Sequence, residues 1–359
     1  MALSELNIYR DKRVFITGHT GFKGTWLSLM LKELGAKITG YSLPPGTAPN
    51  HFDLLQNHAD GTFGDICNAE KLKNAIQLAA PEIVFHLAAQ PLVRGSYTDP
   101  VNTYQTNIIG TLNLLEAARS CSNVKAAVLI TTDKVYDNKE NGKAYAEADE
   151  LGGYDMYSSS KACCEILISS YRNAFLNADE YGKKHHLLIA SARAGNVIGG
   201  GDWNPDRLLP DIAKAVSENR PVHIRNPRSV RPWQHVLDCQ YGYLLLGARL
   251  LNGQKEFSRP FNFSPAPADV KNVEEIAAIA KKSWEDIDIA FGEVAENYHE
   301  AGSLMLDSSA AGKLLGWKPV WNTEEAVGKT IEWYKAFYKN DAVISEGQVK
   351  EYLTLINAR

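Results

Sequence analysis

The chain has 359 residues, of which 45% are hydrophobic and 22% are charged. These proportions are those of a globular protein, and the length allows one large domain or two smaller ones. The formal net charge is −4. Nucleic acids and anionic membranes are therefore not expected as partners, because they require surfaces with clustered excess basic residues.

Location and redox state can be predicted from the N-terminus and the cysteines. The segment "MALSELNIYRDKRVFITG" has no signal-peptide apolar block, and no run in the sequence is long enough to span a bilayer. The five cysteines are odd in number and form no CxxC motif. This pattern predicts reduced thiols and a cytoplasmic protein. The nine histidines show no metal-ligand spacing, so no metal is expected.

In chain order, the first half alternates strand-like and helix-like segments. Apolar runs predict strands at 13–18, 37–42, 61–66, 82–89 and 125–132. Apolar residues at helical spacing predict helices at 25–34, 70–79, 102–120 and 157–175. This alternation indicates βαβ units, and hence an α/β protein with a doubly wound parallel sheet, the Rossmann fold.

The composition changes after about Asn196. The stretches "GGGDWNPDRLLP", "NPRSVRP" and "RPFNFSPAPADV" are rich in Gly, Pro and Asn, and they predict loops of a smaller mixed α/β domain at the edge of the sheet. We assign residues 1–192 to the Rossmann domain, with return segments at about 230–252 and 302–310. The remainder of 193–359 is assigned to a substrate domain.

The first predicted strand is followed by a glycine-rich loop, "TGHTGFKG". Glycines at 18, 21 and 24 allow a tight turn and a close approach of the backbone to a pyrophosphate at the helix N-terminus. The strand–loop–helix context predicts a dinucleotide site. The acid that usually holds the ribose is missing from Gly40-Tyr41-Ser42-Leu43-Pro44, and so is an arginine. NAD and NADP both remain open, although the lack of a basic residue argues against a 2′-phosphate pocket.

The segment "YSSSK" places Tyr157 and Lys161 four residues apart, on one face of a predicted helix. For tyrosine to act as a base at neutral pH, its pKa must fall by roughly three, which corresponds to about 4 kcal/mol. A nearby ammonium group and a cationic nicotinamide ring could provide this stabilisation. Thr132, at the end of a predicted strand, would then hold the substrate hydroxyl.

Taken together, these motifs resemble the extended short-chain dehydrogenase/reductase family. The resemblance rests on the glycine loop, Asp65-Ile66, "HLAAQ" (86–90), "TNIIGTLNLLEA" (106–117) and the Tyr157/Lys161 pair. The segments "RAGNVIGGGDW" (193–203) and "RPWQHVLD" (231–238) are similar to substrate-domain signatures of its nucleotide-sugar members. The resemblance implies NAD as the cofactor, a nucleotide sugar as the substrate, and a homodimer or a dimer of dimers.

The resemblance also implies which residues form the site. The implied cofactor contacts are Gly18, His19, Gly21, Phe22, Lys23, Gly24, Asp65, Ile66, Leu87, Ala88, Ala89, Gln90, Thr106, Tyr157 and Lys161. The implied substrate contacts are Gln90, Thr132, Asn196, Arg207, Arg225 and Arg231. Relatives often carry an arginine shortly before a C-terminal D-x-S turn. Here Tyr298, His299 and Glu300 occupy that region, so the phosphate contacts are expected to differ from those of the epimerases.

The segment "ITTDKVY" (130–136) separates the branches of this family. The 4-epimerases carry small hydroxyl residues after the threonine, whereas the 4,6-dehydratases carry an acid and a base, because they also eliminate water across C5 and C6. In the enzymes that act on dTDP-glucose the pair is Asp-Glu. The Asp133-Lys134 pair, together with "IRNP" (224–227), resembles the dehydratase branch that acts on CDP-glucose. The implied product is a 4-keto-6-deoxy sugar.

The resemblance implies a catalytic set of Thr132, Asp133, Lys134, Tyr157 and Lys161. Hydride leaves C4 for NAD as Tyr157 takes the hydroxyl proton, and Asp133 protonates the departing C6 hydroxyl. Lys134 either removes the C5 proton or stays protonated and stabilises the enolate, with Tyr157 or a water as the base.

Two other readings remain. The first is a 4-epimerase or a simple dehydrogenase, against which the Asp133-Lys134 pair argues. The second is an inactive dinucleotide sensor, against which the intact Thr132, Tyr157 and Lys161 argue.

Overall fold

The structure, a computed structural model, describes residues 2–55, 60–224, 226–292 and 302–359. Its centre is a sheet of seven parallel strands with the order β7-β6-β5-β4-β1-β2-β3. The strands are β1 Arg13–Thr17, β2 Lys37–Ser42, β3 Asp60–Phe63, β4 Ile83–His86, β5 Ala126–Ile130, β6 Leu188–Ala194 and β7 Phe261–Phe263. This architecture confirms the predicted doubly wound α/β fold.

Helices cover both faces of the sheet. The α-helices are α1 Ala2–Leu6, α2 Phe22–Glu33, α3 His51–Leu54, α4 Ala69–Ala79, α5 Val93–Thr98, α6 Pro100–Tyr104, α7 Gly110–Ser120, α8 Met156–Ala174, α9 Leu208–Ser217, α10 Val236–Leu251, α11 Val273–Ser283, α12 Thr323–Asn340 and α13 Ser345–Asn357. A π-helical turn, Gln105–Ile109, joins α6 to α7. The predicted helix at 102–120 therefore exists, but it contains one wider turn.

Short strand pairs lie outside the main sheet. They are Ala144–Tyr145 with Met305–Leu306, Val197–Ile198 with Gln234–His235, Val222–Ile224 with Ile289–Phe291, and Val230–Arg231 with Lys271–Asn272. The Val222–Ile224 strand contacts α9, and α11 packs against α12. These elements form the smaller α/β part of the fold.

The strands of the main sheet are apolar because both of their faces are covered. Along β1, Val14 and Ile16 pack into the core that contains Trp26 of α2. Phe15, between them, points into the opposite core with Ile76 of α4. All five residues of β5 are buried. A parallel strand covered by helices on both sides therefore appears as a continuous apolar run.

Two sequence predictions differ from the structure in detail. The strand predicted at 61–66 spans only Asp60–Phe63, and all four residues are exposed. The stretch "RPFNFSPAPADV" was predicted to be a loop, but Phe261–Phe263 is a buried strand that pairs in parallel with β6. A strand of three residues is too short to show a periodicity in the sequence, so tertiary pairing alone defines this element.

A buried carboxyl group links the C-terminal helix to the sheet-packing helix α10. Asp238 on α10 accepts hydrogen bonds from the Tyr352 hydroxyl of α13 and from the Val320 amide, both at 2.6 Å. Burial raises the pKa of Asp238 to about 7, while Tyr352, the amides of Val320 and Trp321, and Arg359 act in the opposite direction. Because burial outweighs the hydrogen bonds and Arg359, the pKa of Asp238 lies near neutral pH.

This elevated pKa predicts a pH-dependent stability. The native carboxyl binds its proton more tightly than the unfolded chain does, so the free energy of unfolding should fall as pH rises from about 4 to about 7, and level off above. The Asp238→Asn variant lacks this titration, and its free energy of unfolding should fall less over the same range, by up to about 4 kcal/mol. Urea unfolding at pH 5 and pH 8 measures the difference. Equal pH slopes for the variant and the wild type would contradict the assignment.

Candidate active site

A cleft of about 460 Å3 opens at the carboxyl ends of β1, β4 and β5. This position is the switch point between β1 and β4, where the strand order reverses and where ligands bind in open α/β sheets. The volume lies in the range of small-molecule sites. Its walls include every predicted cofactor residue except His19, and they also include Thr132, Asp133, Lys134, Asn196 and Arg207.

The glycine loop at the floor of this cleft fits the pyrophosphate of a dinucleotide. Gly18 has a φ of +77°, and a Cβ added to Gly24 would lie 2.0 Å from the Gly18 carbonyl oxygen. The loop and the start of α2 can pack this closely only because both positions are glycine. The N-cap of α2 is Gly21, which has no side chain to accept hydrogen bonds from the amides of the first turn. Those amides therefore remain available for a phosphate.

Hydroxyl groups stand at the end of β2, where an acid was expected. The Ser42 hydroxyl lies 2.9 Å from both the Thr20 hydroxyl and Nδ1 of His19. The imidazole of His19 packs against Gly40 and Gly61, where an added Cβ would approach the ring to 2.3 and 2.6 Å. The His19 ring therefore packs beneath the loop and does not line the cleft, and its contact with the cofactor stays a prediction. Thr20 and Ser42, which do line the cleft, were missed because single hydroxyl residues carry little signal in a sequence.

Gln90, predicted to contact both cofactor and sugar, uses its side-chain amide within the protein. Its Oε1 accepts from the Leu92 amide at 2.6 Å. Its Nε2 donates to the Leu92 carbonyl at 3.1 Å and to the Thr103 hydroxyl at 2.9 Å. The residue lines the cleft, but in this arrangement its amide shapes the loop after β4.

The acid and base beyond β5 share one tight turn. Thr132 is extended and caps the short 3-10 helix Asp133–Val135, accepting from the Lys134 amide at 3.4 Å. The Thr132 hydroxyl donates to Oδ1 of Asp133 at 2.9 Å. Asp133 is only 1% exposed, and the Lys134 ammonium, 30% exposed, lies 3.8 Å from the same oxygen. Oδ2 of Asp133 has no hydrogen-bond partner within the described part of the chain.

Helix α8 brings Tyr157 and Lys161 to this turn. The helix begins after Asp155, whose carboxylate accepts from the Ser158 amide at 2.9 Å. Burial raises the pKa of Tyr157 to about 12, and a hydrogen bond with Thr132 opposes this increase. Burial lowers the pKa of Lys161, whose ammonium donates to the Ile130 carbonyl at 3.2 Å. The protein environment alone therefore keeps the Tyr157 phenol protonated at neutral pH.

A second cleft, of about 190 Å3, continues from the first and shares Asn196 and Arg207 with it. Arg231 lines this second cleft, and its Nη1 donates to the Val230 carbonyl at 2.9 Å. Nη2 of Arg207 donates to the Pro91 carbonyl at 3.4 Å. The structure thus brings together three of the predicted substrate residues. Arg225 lies outside the described residues, as do Tyr298, His299 and Glu300.

The loop before α9 adds polar residues that the sequence analysis did not single out. Asp202 and Asn204 line the main cleft, and Oδ1 of Asp202 accepts from the Asn204 amide at 3.1 Å. Their only sequence signal was the polar, glycine-rich character of "GGGDWNPD". In the described ranges, no group of three or more His, Cys, Asp or Glu side chains is arranged to hold a metal ion. Among the described helices, none has the length and apolar character needed to cross a bilayer.

The sequence of this chain is similar to those of known proteins. The profile of the NAD dependent epimerase/dehydratase family matches residues 14–258. The chain is 46% identical over 353 residues to a CDP-glucose 4,6-dehydratase of Salmonella typhimurium, covering 97% of this chain and 98% of that relative. It is 25% identical to a dTDP-glucose 4,6-dehydratase of Xanthomonas campestris, covering 89% and 92% of the two chains.

Solved structures share the fold. An epimerase from Methanothermobacter thermautotrophicus superposes with a TM-score of 0.81 at 20% identity, and covers 98% of each chain. A UDP-glucose 4-epimerase from Thermotoga maritima, solved with UDP-glucose, has a TM-score of 0.75 at 22% identity, and covers 90% of this chain and 98% of its own. On the evidence of the glycine loop, the Tyr157/Lys161 pair and the profile match over most of its length, this chain belongs to the NAD dependent epimerase/dehydratase family.

Proposed function

We propose that this protein is a lyase that converts CDP-glucose to its 4-keto-6-deoxy product with loss of water. The observation that carries this proposal is the presence of Asp133 and Lys134 in one cleft with Thr132, Tyr157 and Lys161. A 4-epimerase needs no acid–base pair there. The nucleobase is assigned by the similarity to the Salmonella enzyme.

In the first step the protein removes the proton of the C4 hydroxyl. A bound NAD would supply the hydride acceptor for C4 and a positive ring that favours the ionised phenol. Tyr157 accepts the proton of the C4 hydroxyl, and Thr132, which hydrogen-bonds to Tyr157, orients that hydroxyl. Lys161, held by the Ile130 carbonyl, adds a buried positive charge on the same helix. These charges must offset the burial that raises the Tyr157 pKa.

The turn formed by Thr132 and the short helix Asp133–Val135 is called the acid–base turn below. In the second step this turn removes water across C5 and C6. The C4 ketone acidifies the C5 proton, so a modest base suffices. Oδ2 of Asp133, which lacks a partner among the described residues, is placed to deliver a proton to the C6 oxygen. Lys134 has two candidate roles, as the base at C5 or as the cation that stabilises the enolate oxygen. The hydride taken from C4 would then return to C6 and a proton would be added at C5, which gives the 4-keto-6-deoxy sugar and restores the oxidised cofactor.

The second cleft is proposed to hold the nucleotide diphosphate. Asn196, Arg207 and Arg231 supply an amide and two guanidinium groups there, a chemistry suited to phosphate oxygens. We assign this role to the smaller domain, residues 193–359 apart from the return segments 230–252 and 302–310 and apart from β7, which pairs in the main sheet. Residues 1–192 with those segments form the cofactor domain.

We further propose a cytoplasmic homodimer, or a dimer of such dimers. The odd cysteine count without a CxxC motif supports the location. Val101 on α6, Ile166 on α8 and Phe175 just after α8 are 64%, 59% and 52% exposed. Exposed large apolar side chains on neighbouring helices support association through these two helices.

Cofactor binding can be tested at the glycine loop. In Gly24→Ala the new methyl group would meet backbone atoms of Gly18 and His19 that cannot move independently. We expect NAD affinity to fall at least about tenfold, or about 1.4 kcal/mol, as measured by isothermal titration calorimetry. Gly46→Ala is the control, because a Cβ there meets no described atom within 4 Å. Equal affinities for the two variants would contradict the assignment.

The reaction itself can be tested with labelled substrates. We expect CDP-glucose carrying deuterium at C4, incubated with the protein and NAD, to give a 4-keto product with the label at C6. The dTDP-, UDP- and GDP-glucose analogues should react more slowly, and mass spectrometry with NMR locates the label. A galacto product labelled at C4 would indicate an epimerase. Stoichiometric NADH would indicate a dehydrogenase, and the absence of turnover would support a sensor.

The role of Asp133 can be separated from the oxidation step. Asp133→Asn keeps the shape of the side chain but cannot donate a carboxyl proton, so we expect water loss to slow by about 10²- to 10⁴-fold. Stopped-flow absorbance at 340 nm should show oxidation at C4 slowed far less, with reduced cofactor accumulating. Asp137→Asn, in the exposed pair with Lys139, is the control. If both steps slow equally in Asp133→Asn, Asp133 is not the acid.

A further inference from the structure

A buried ion pair lies directly behind the acid–base turn. Glu165, on α8 four residues after Lys161, and Arg193, on β6, are 1% and 3% exposed, and their charged atoms are 2.8 Å apart. Neither residue lines the cleft. The site described above does not use them, although α8 carries Tyr157 and Lys161.

The Glu165 carboxylate is tied to the residue that precedes the turn. Its Oε1 accepts from the Thr131 hydroxyl at 2.5 Å, and its Oε2 accepts from the Ser191 hydroxyl at 2.7 Å in addition to Arg193. Thr131 immediately precedes Thr132. The carboxylate therefore connects the end of β5 to the helix that carries the catalytic tyrosine.

The Arg193 guanidinium is tied to the residue that follows the turn. Its Nη1 donates to the Tyr136 hydroxyl at 2.8 Å and to the Glu147 carbonyl at 3.1 Å. The Tyr136 hydroxyl in turn donates to Oδ1 of Asn262 on β7 at 2.7 Å. The ion pair thus reaches both ends of the segment from Thr131 to Tyr136, which contains Thr132, Asp133 and Lys134.

An arrangement of this kind is costly as a means of stability alone. Two charges removed from water lose their hydration, and well-packed apolar residues of similar volume often stabilise a core as well or better. The hydrogen bonds of charged groups are, however, strongly directional, and they specify one arrangement of the groups that they connect.

We propose that Glu165 and Arg193 are positioning residues that hold the acid–base turn in register with Tyr157 and Lys161. The inference rests on the proposed function, since it assigns the turn a catalytic role. Loss of either hydrogen bond should leave Tyr157 and Lys161 on α8 in place and let the turn that contains Asp133 and Lys134 shift. Elimination should therefore suffer more than oxidation, because a displacement of about 1 Å can cost a hundredfold in rate.

The test removes one hydrogen bond at a time and keeps the Glu165–Arg193 ion pair intact. Thr131→Val deletes the bond to Glu165, and Tyr136→Phe deletes the bond from Arg193. In stopped-flow experiments with NAD and CDP-glucose, the rate at which reduced cofactor forms should fall much less than the rate of elimination, because Thr132 is the one residue of the turn that acts in the oxidation step. Each variant should release the 4-keto-6-deoxy product about tenfold to a hundredfold more slowly. Hydrogen exchange of the amides from Thr132 to Tyr136, followed by mass spectrometry without substrate, should be faster than in the wild type.

Tyr352→Phe is the matched control. Tyr352 and Tyr136 are both buried tyrosines whose hydroxyls donate to side-chain oxygens, at 2.6 and 2.7 Å, but Tyr352 bonds to Asp238 on α10, which is not part of the turn. This control should lower the free energy of unfolding without changing the ratio of oxidation to elimination, or exchange in the turn. A loss confined to stability in Thr131→Val and Tyr136→Phe, as in the control, would overturn the proposal.

The proposed function and the positioning role of Glu165 and Arg193 can be refuted separately. If wild-type protein does not eliminate water from CDP-glucose, the proposed function is wrong, whatever the variants do. If the wild type does eliminate water but the variants keep its step ratio and its exchange rates, the function stands and the positioning role is wrong. Faster exchange in the turn without a change in the step ratio would likewise overturn the role in catalysis.

Discussion

The parallel alignment of β5 between β4 and β6, with α8 packed nearby, is the constraint on which the site depends. Parallel strands end at the same edge of a sheet, so the residues that follow them meet in one cleft. The turn after β5 brings Thr132, Asp133 and Lys134 to this edge, and α8 adds Tyr157 and Lys161. Burial of all five residues of β5 keeps the end of the strand in place.

Burial of the site also shifts the pKa values of Tyr157 and Lys161 in the direction that disfavours the proposed chemistry. It raises the pKa of Tyr157 and lowers that of Lys161, so both groups are driven toward their neutral forms. The hydrogen bond from Thr132 and the charge of Arg207 oppose the increase in the Tyr157 pKa, and the cationic ring of NAD would add to them in the proposed reaction. Without the cofactor, the high pKa of Tyr157 makes it a poor acceptor for the proton of the C4 hydroxyl. Proton transfer to Tyr157 would therefore depend on the presence of the hydride acceptor.

Much of this could be predicted from local patterns. Gly18, Gly21 and Gly24 needed only their spacing after an apolar run, and Tyr157 and Lys161 needed only their positions on one helical face. The predictions failed where neighbours distant in the chain decide the outcome. Phe261–Phe263 becomes a strand because β6 offers an edge, and it contributes Asn262 to the bonds behind the turn. The side chains of His19 and Gln90 form hydrogen bonds within the protein, to partners that the local sequence did not indicate.

By itself, the sequence determined the fold class and the glycine loop of the dinucleotide site. These depend on periodicity and short spacings, which neighbouring residues encode directly. Only the tertiary structure decided that Oδ2 of Asp133 lacks a partner among the described residues, and that Glu165 and Arg193 meet behind the turn. Such facts arise from contacts between residues far apart in the chain. They become fixed only when the sheet and its helices pack together.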